Sequence, residues 1–187
     1  MLKKILLLTL SLFLIQQSYN LLGNIAGWKT LTLGVSIFLG WVVNMYITGI
    51  FAFAGFALPT QKLLPESFYK INQPKKLKSL FKKLKGEWFR KFLIATVWRS
   101  KAQQAKYFDG TLSGIEHFET QSKKSEFGHL FPFIILTPVG IYLIIKGLVA
   151  FGVATLVFNI LGNFYPILLQ RHHRMRIDVL RRRMKRK

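Results

Sequence analysis

At 187 residues the chain has room for one domain, or for one membrane bundle with a modest extramembrane part. Half of it is apolar (51%), yet 28 Lys+Arg stand against 7 Asp+Glu, for a formal charge of +21. The absence of cysteine excludes disulfides, thiolate nucleophiles, cysteine-held zinc and a cysteine-linked lipid anchor.

Apolarity and charge fall in blocks rather than mixing. Apolar runs cover 5–58 and 130–169, and basic runs cover 62–106 and 171–187. A 20-residue apolar helix crosses roughly 30 Å of hydrocarbon, while Lys and Arg are retained on the cytosolic side. The pattern therefore predicts an all-α integral membrane protein. It has about four transmembrane helices, or three if the N-terminal segment is cleaved or does not span, plus an interfacial amphipathic helix.

Met1-Leu-Lys-Lys followed by Ile5–Ile15 has the layout of a secretory signal, but Gln16-Gln17-Ser18 follows without a small-x-small cleavage pattern. An uncleaved first helix extending through Leu21 and Leu22 is the favoured reading. Thr30–Leu58 is 29 residues without a charge, with Asn44 its most polar member, and Pro59 ends it. Small residues between Gly49 and Gly55 suit close helix contact in lipid, or are filler in an apolar run.

The next segment, 60–125, carries 15 of the 28 basic residues. Within it Leu77, Leu80, Phe81, Leu84, Trp88, Phe92 and Ala95 recur at three- and four-residue steps between lysines and arginines. This is the pattern of a helix lying in the headgroup plane, preceded by Pro74 and interrupted by Gly86. Asp109-Gly110 marks a turn.

Leu130–Leu169 is 40 residues with one charge, Lys146. That length fits two helices with a turn at Lys146-Gly147, and Pro132, Pro138 and Pro166 should kink or shorten them. The organisation predicted is 1–58 (N-terminal spans), 59–125 (basic interfacial segment), 126–176 (helical hairpin with a polar edge) and 177–187 (basic tail). Only Lys29 and Lys146 lie on the side opposite the basic segments. The loop and C-terminus are therefore expected in the cytosol of a bacterial inner membrane, as a multi-pass protein.

An antiparallel hairpin places its first residues beside its last. Glu126 and His129 then share a level with Asn163, Gln170, Arg171, Arg174 and Arg176. Glu126 and His129, at i,i+3, share a helix face, so the carboxylate can orient the imidazole. Asn163, Gln170 and Arg174 also share a face, and a buried amide in lipid needs a partner. The reading is a polar pocket at the cytosolic edge. The competing reading makes the tail a topogenic stop signal, above all beyond Arg176, and His129 a helix cap.

Four histidines (His117, His129, His172, His173) are too few for a di-iron membrane oxygenase, and no metal site is expected. Glu126-x-x-His129 lacks the second histidine of the zinc-protease helix. His173 and Asp178 match an acyltransferase spacing, read as chance within an arginine-rich tail.

Ser125-Glu-Phe-Gly-His-Leu-Phe-Pro-Phe-Ile-Ile-Leu-Thr-Pro138, together with Asn163-Phe-Tyr-Pro-Ile-Leu-Leu-Gln-Arg-His-His-Arg-Met-Arg-Ile177, resembles the glycosyl-4,4'-diaponeurosporenoate acyltransferases of staphyloxanthin-type carotenoid pathways. The resemblance covers the last 60 residues or so well. It is looser at Leu64-Pro-Glu-Ser-Phe-Tyr69 and over Gly86 to Lys101, where Trp98-Arg99 stands for the family's Trp-Lys pair. A glutamate upstream of that pair has no clear counterpart here, Glu87 being out of register.

The resemblance implies transfer of a fatty acyl group from a thioester donor to a hydroxyl of a glycosylated lipid or carotenoid. His129 would be the general base and Glu126 its orienting carboxylate. Asn163, Gln170 or Arg171 would serve the oxyanion, and Arg174, Arg176 and the lysines of 75–91 the donor's phosphates. No cofactor is expected beyond an acyl-CoA or acyl-carrier thioester as co-substrate. The partners implied are membrane lipids, that donor and the glycosylated acceptor, with no specific nucleic acid. The alternative is a non-enzymatic membrane protein that binds anionic lipid or an acidic partner through its basic surface.

Overall fold

The computed structural model describes residues 1–28, 30–96 and 112–184. Lys29, the Trp98-Arg99 pair, the Asp109-Gly110 turn and the last three residues of the basic tail lie outside them. The helices are α1 (Leu2–Gly23), α2 (Leu33–Ala57), α3 (Glu66–Tyr69), α4 (Pro74–Lys83), α5 (Gly86–Thr96), α6 (Leu112–Ile145), α7 (Val149–Asn159) and α8 (Tyr165–Met184). A π-helical segment, Ile160–Phe164, joins α7 to α8. No strand occurs among the described residues.

Four stretches are long and apolar enough to cross a membrane: Leu2–Gly23, Leu33–Ala57, Ser113–Ile145 and Val149–Arg181. The chain divides into two compact units, one of Met1–Pro59 with Phe127–Pro166 and one of Thr60–Glu126 with Ile167–Lys187.

The first unit exposes large apolar side chains and turns polar ones of α1 and α2 inward. The buried residues of α1 are Ser11 and Ser18, while Ile5, Leu6, Leu12, Phe13 and Ile15 face outward. In α2, Ser36 and Asn44 are buried while Leu33, Phe38 and Trp41 are exposed. Water would invert this arrangement; hydrocarbon demands it, because only internal partners can satisfy polar groups there.

Local signals set the helix ends. Thr32 caps α2 by accepting from the Val35 amide at 3.4 Å, and Leu58 turns extended before Pro59. Gly147, at φ +85°, makes the expected turn between α6 and α7. Pro132 and Pro138 lie inside α6 without ending it, whereas Pro166 sits in the first turn of α8, directly after the π segment.

The packing core joins Ile25, Val43, Ile47, Leu136, Leu143, Leu148 and Phe151. Helix α2 approaches α7 so closely at Gly40 that a Cβ there would fall 2.8 Å from the Ala154 Cβ. With no hydrophobic effect acting between helices in lipid, such small-residue contact is the main source of packing energy. Gly40 provides that contact with α7, whereas Gly49, in the stretch singled out above, packs on Leu14 of α1.

The second unit holds 24 of the 28 basic residues. The single amphipathic helix expected over 77–95 is two helices. Lys85 takes φ +52° between them, and a Cβ on Gly86 would fall 2.4 Å from the Phe81 ring. The break divides the apolar stripe. Phe81 and Phe89 are buried within the unit, whereas Leu80, Trp88 and Phe92 are exposed, the last two stacked with ring centroids 5.9 Å apart.

Candidate active site

In the first unit the π segment decides what faces His129. A π turn widens the helix by one residue and frequently marks a functional position. Here it buries Asn163 completely, with its side-chain oxygen 3.1 Å from His129 Nδ1. The same oxygen accepts from the Thr48 hydroxyl at 3.1 Å, and Asn163 Nδ2 donates to Asn159 Oδ1 at 3.0 Å. Asn159 in turn donates to the Phe133 carbonyl (3.1 Å) and to Thr137 Oγ1 (3.2 Å).

This network fixes the amide orientation and with it the tautomer. An oxygen that accepts from Thr48 can only accept from the ring, so Nδ1 carries the hydrogen and the lone pair is on Nε2. Asn163 thus occupies the position of an orienting group behind the imidazole, and its Nδ2 donates to Asn159.

In the second unit Glu126 is fully buried, and both of its oxygens go to arginines. Oε1 accepts from Arg171 Nε at 2.6 Å, and Oε2 accepts from Arg174 Nη2. The i,i+3 spacing pointed to His129, and the structure gives the carboxylate a different duty: it neutralises guanidinium groups. A buried carboxylate facing two permanent cations gains far more from them than from a neutral ring.

Arg174 is used up by the fold. It is 4% exposed, with Nε on the Tyr69 carbonyl (3.3 Å), Nη1 on Ser122 Oγ (3.1 Å) and Nη2 on Glu126. Each of its three nitrogens is bonded within the fold and the side chain is buried, so Arg174 serves the structure here rather than presenting an open fork. Arg176 is exposed, and Gln170 is buried with its backbone carbonyl accepting from Ser122 Oγ at 3.1 Å.

The basic tail is not all topogenic. Arg181 pairs with Glu119, which also holds Lys123 at 3.0 Å. His172 stacks on Phe81 (centroids 4.0 Å apart, planes within 5°) and His173 lies against Phe118 at 5.3 Å. These two histidines are packing groups. No cluster of three or more His, Asp or Glu able to hold a metal occurs among the described residues.

Sequence reasoning missed Asn159, Thr48, Ser122 and Tyr69. Asn159 could have been found, since it sits one turn before Asn163 in an otherwise apolar run, where any amide needs a partner. Tyr69 had no such signal. Two cations lie over its ring, Arg174 (Cζ 5.3 Å from the centroid) and Lys123 (Nζ at 5.5 Å). Burial and the nearby Glu126 carboxylate push its phenol up to about 12, so it stays protonated.

A sequence model of the glycosyl-4,4'-diaponeurosporenoate acyltransferases matches residues 65–183, which include Glu126 with its arginines and every member of the His129 network except Thr48. The chain belongs to that family. It is therefore an acyltransferase of a carotenoid pathway, built as a helical membrane protein. No curated protein and no solved structure matches the chain. The match takes in Glu126, His129, Asn163, Gln170, Arg171, Arg174 and Arg176, the residues on which the resemblance was drawn. Family membership replaces the non-enzymatic binder as the account of what the chain does.

Proposed function

We propose that the enzyme moves a fatty acyl group from a thioester donor to a hydroxyl of a glycosylated carotenoid or lipid at the cytosolic membrane face, with His129 as general base. The observation that carries this reading is the Nδ1–Asn163 hydrogen bond, which leaves the basic lone pair on Nε2. A His–Asn pair of this kind serves in papain-like enzymes, where the amide fixes the ring without contributing a charge.

The step balances simply. Nε2 takes the acceptor hydroxyl proton as the oxygen attacks the thioester carbonyl. The tetrahedral intermediate collapses to the ester, and the departing thiolate recovers the proton from the imidazolium.

The bilayer presents the hydrophobic acceptor and can receive the acyl chain, so the protein needs no large aqueous cleft for either. The basic excess of the second unit supports a cytosolic placement of that unit, in a bacterial cytoplasmic membrane, because Lys and Arg near spans are retained inside. A soluble donor, acyl-CoA or acyl-carrier protein, would then reach it directly, and no resident cofactor is required.

The test is to express His129→Ala at wild-type level and extract pigments and lipids. We expect the acyl-sized mass increment to fall by about 10²–10⁴-fold, the usual contribution of a positioned base. Undiminished acyl transfer would remove His129 from the mechanism.

A further inference from the structure

Glu126 carries one negative charge and holds two guanidinium groups, one more than neutrality needs. The surplus is not shared equally. Arg174 is buried with all three edges bonded, whereas Arg171 spends only Nε on the carboxylate and its side chain is 35% exposed. Its guanidinium plane is also supported from below, with Cζ 5.0 Å from the Phe68 ring centroid. Two constraints, a short bond at Nε and an aromatic face, therefore hold the planar group in one orientation while its Nη donors take no partner among the described residues.

A free arginine must give up about 2 kcal/mol of rotamer entropy to bind through its fork. Here the fold has already immobilised it. Two parallel N–H donors on a fixed plane match two oxygens of a phosphate, and an arginine held this way is selective where a surface lysine is not.

We propose that Arg171, tied to Glu126 and seated on Phe68, is a preorganised phosphate-binding group of this enzyme, presenting its Nη pair to a phosphate monoester or diester. This deepens the acyl-transfer reading and rests on it for the role of the phosphate. The donor's nucleotide phosphates are one source of that chemistry and an anionic lipid headgroup is the other. Arg174, buried by the same carboxylate, is the positioning residue that lets Arg171 stay charged and partly exposed without leaving Glu126 unneutralised.

The experiment measures binding and not turnover, so its failure is separable from failure of the acyl-transfer reading. Full-length protein in nanodiscs of zwitterionic lipid is titrated with coenzyme A, and in a second arm the discs carry phosphatidylglycerol while bound lipid is counted by native mass spectrometry. Arg171→Gln should weaken coenzyme A binding at least tenfold if the donor is the source, or remove retained phosphatidylglycerol if the headgroup is. Phe68→Ala, which leaves the ion pair in place, should produce a smaller loss in the same arm and guards against misfolding of the glutamine variant. Arg171→Lys keeps the charge and should recover only part of the affinity. Lys62→Gln, at an exposed site outside the lysines of 75–91, reports the generic effect of removing one charge. If Arg171→Gln changes neither arm by more than Lys62→Gln does, or if lysine restores full affinity, the proposal is overturned. His129→Ala should leave both arms unchanged, and a loss there equal to that of Arg171→Gln would also overturn it.

Discussion

The two units of this chain bury polar side chains by different chemistry. In the first, every member of the network is uncharged as drawn: Thr48, His129, Thr137, Asn159 and Asn163 exchange neutral hydrogen bonds. In the second, Glu66, Glu119, Glu126, Lys123, Arg171, Arg174 and Arg181 are joined as ion pairs. The first network lies in the apolar parts of its helices, and one Asp, Lys or Arg placed in hydrocarbon costs about 2.5–3.5 kcal/mol to insert. An amide can orient a histidine there without that penalty. A carboxylate can be afforded only where cations already surround it, which is the condition Glu126 meets.

The difference can be broken most forcefully at Glu126. Glu126→Ala leaves Arg171 and Arg174 facing each other with no counter-charge, and the Arg174 side chain is buried. Removing one partner of a buried pair costs about 3–5 kcal/mol. We expect a large drop in the melting temperature of the detergent-purified protein, and a smaller drop for Glu126→Gln, which keeps an acceptor oxygen. Equal melting of Glu126→Ala and wild type would mean the ion pairs are solvated and weak.

The neutral network should yield less. Asn159→Leu removes bonds to Phe133, Thr137 and Asn163. Interhelical hydrogen bonds in membranes average about 0.6 kcal/mol, and none measured greatly exceeds about 1.7. The expected destabilisation is therefore roughly 1–2 kcal/mol, about half that of Glu126→Ala in the same melting assay. Acyl transfer should fall as well, because Asn163 loses the partner that fixes its orientation toward His129. A destabilisation as large as that of Glu126→Ala would collapse the distinction between the two units.

How much of this was legible follows the range of the interactions. Thr30–Leu58 announced α2 through 29 uncharged residues, and Gly147 announced its turn, because hydropathy and backbone conformation are local properties. The polar residues that the two networks bury were legible in good part, since Glu126, His129, Asn163, Arg171 and Arg174 all belong to them. Their pairing was not. Spacing put Glu126 with His129, three residues on, while the structure pairs it with arginines 45 and 48 residues away. Local spacing says which side chains could meet and nothing about which competitor has the greater charge. The interruption at Gly86 was legible, but the division into two helices at Lys85 was not, since Leu77, Leu84 and Trp88 keep helical spacing across it.

The finest test concerns Tyr69, whose ring belongs to the charged network while its hydroxyl does not. The phenol oxygen is buried and has no hydrogen-bond partner among the described residues, and its Arg174 contact runs through the backbone carbonyl and the ring face. Tyr69→Phe should therefore be neutral or slightly stabilising at pH 7, since it removes an unsatisfied buried hydroxyl and keeps both contacts. The variants should separate in alkali. The folded phenol ionises near pH 12 and the unfolded one near 10, so the fold's preference for the protonated form is fully present below pH 10 and lost as pH rises toward 12. Wild-type stability should fall through that window more steeply than that of Tyr69→Phe, as measured by melting at stepped pH. Parallel curves would show that the ring is more open to solvent than its burial against Arg174 and Lys123 implies, and would loosen the charged network at the point where it is drawn tightest.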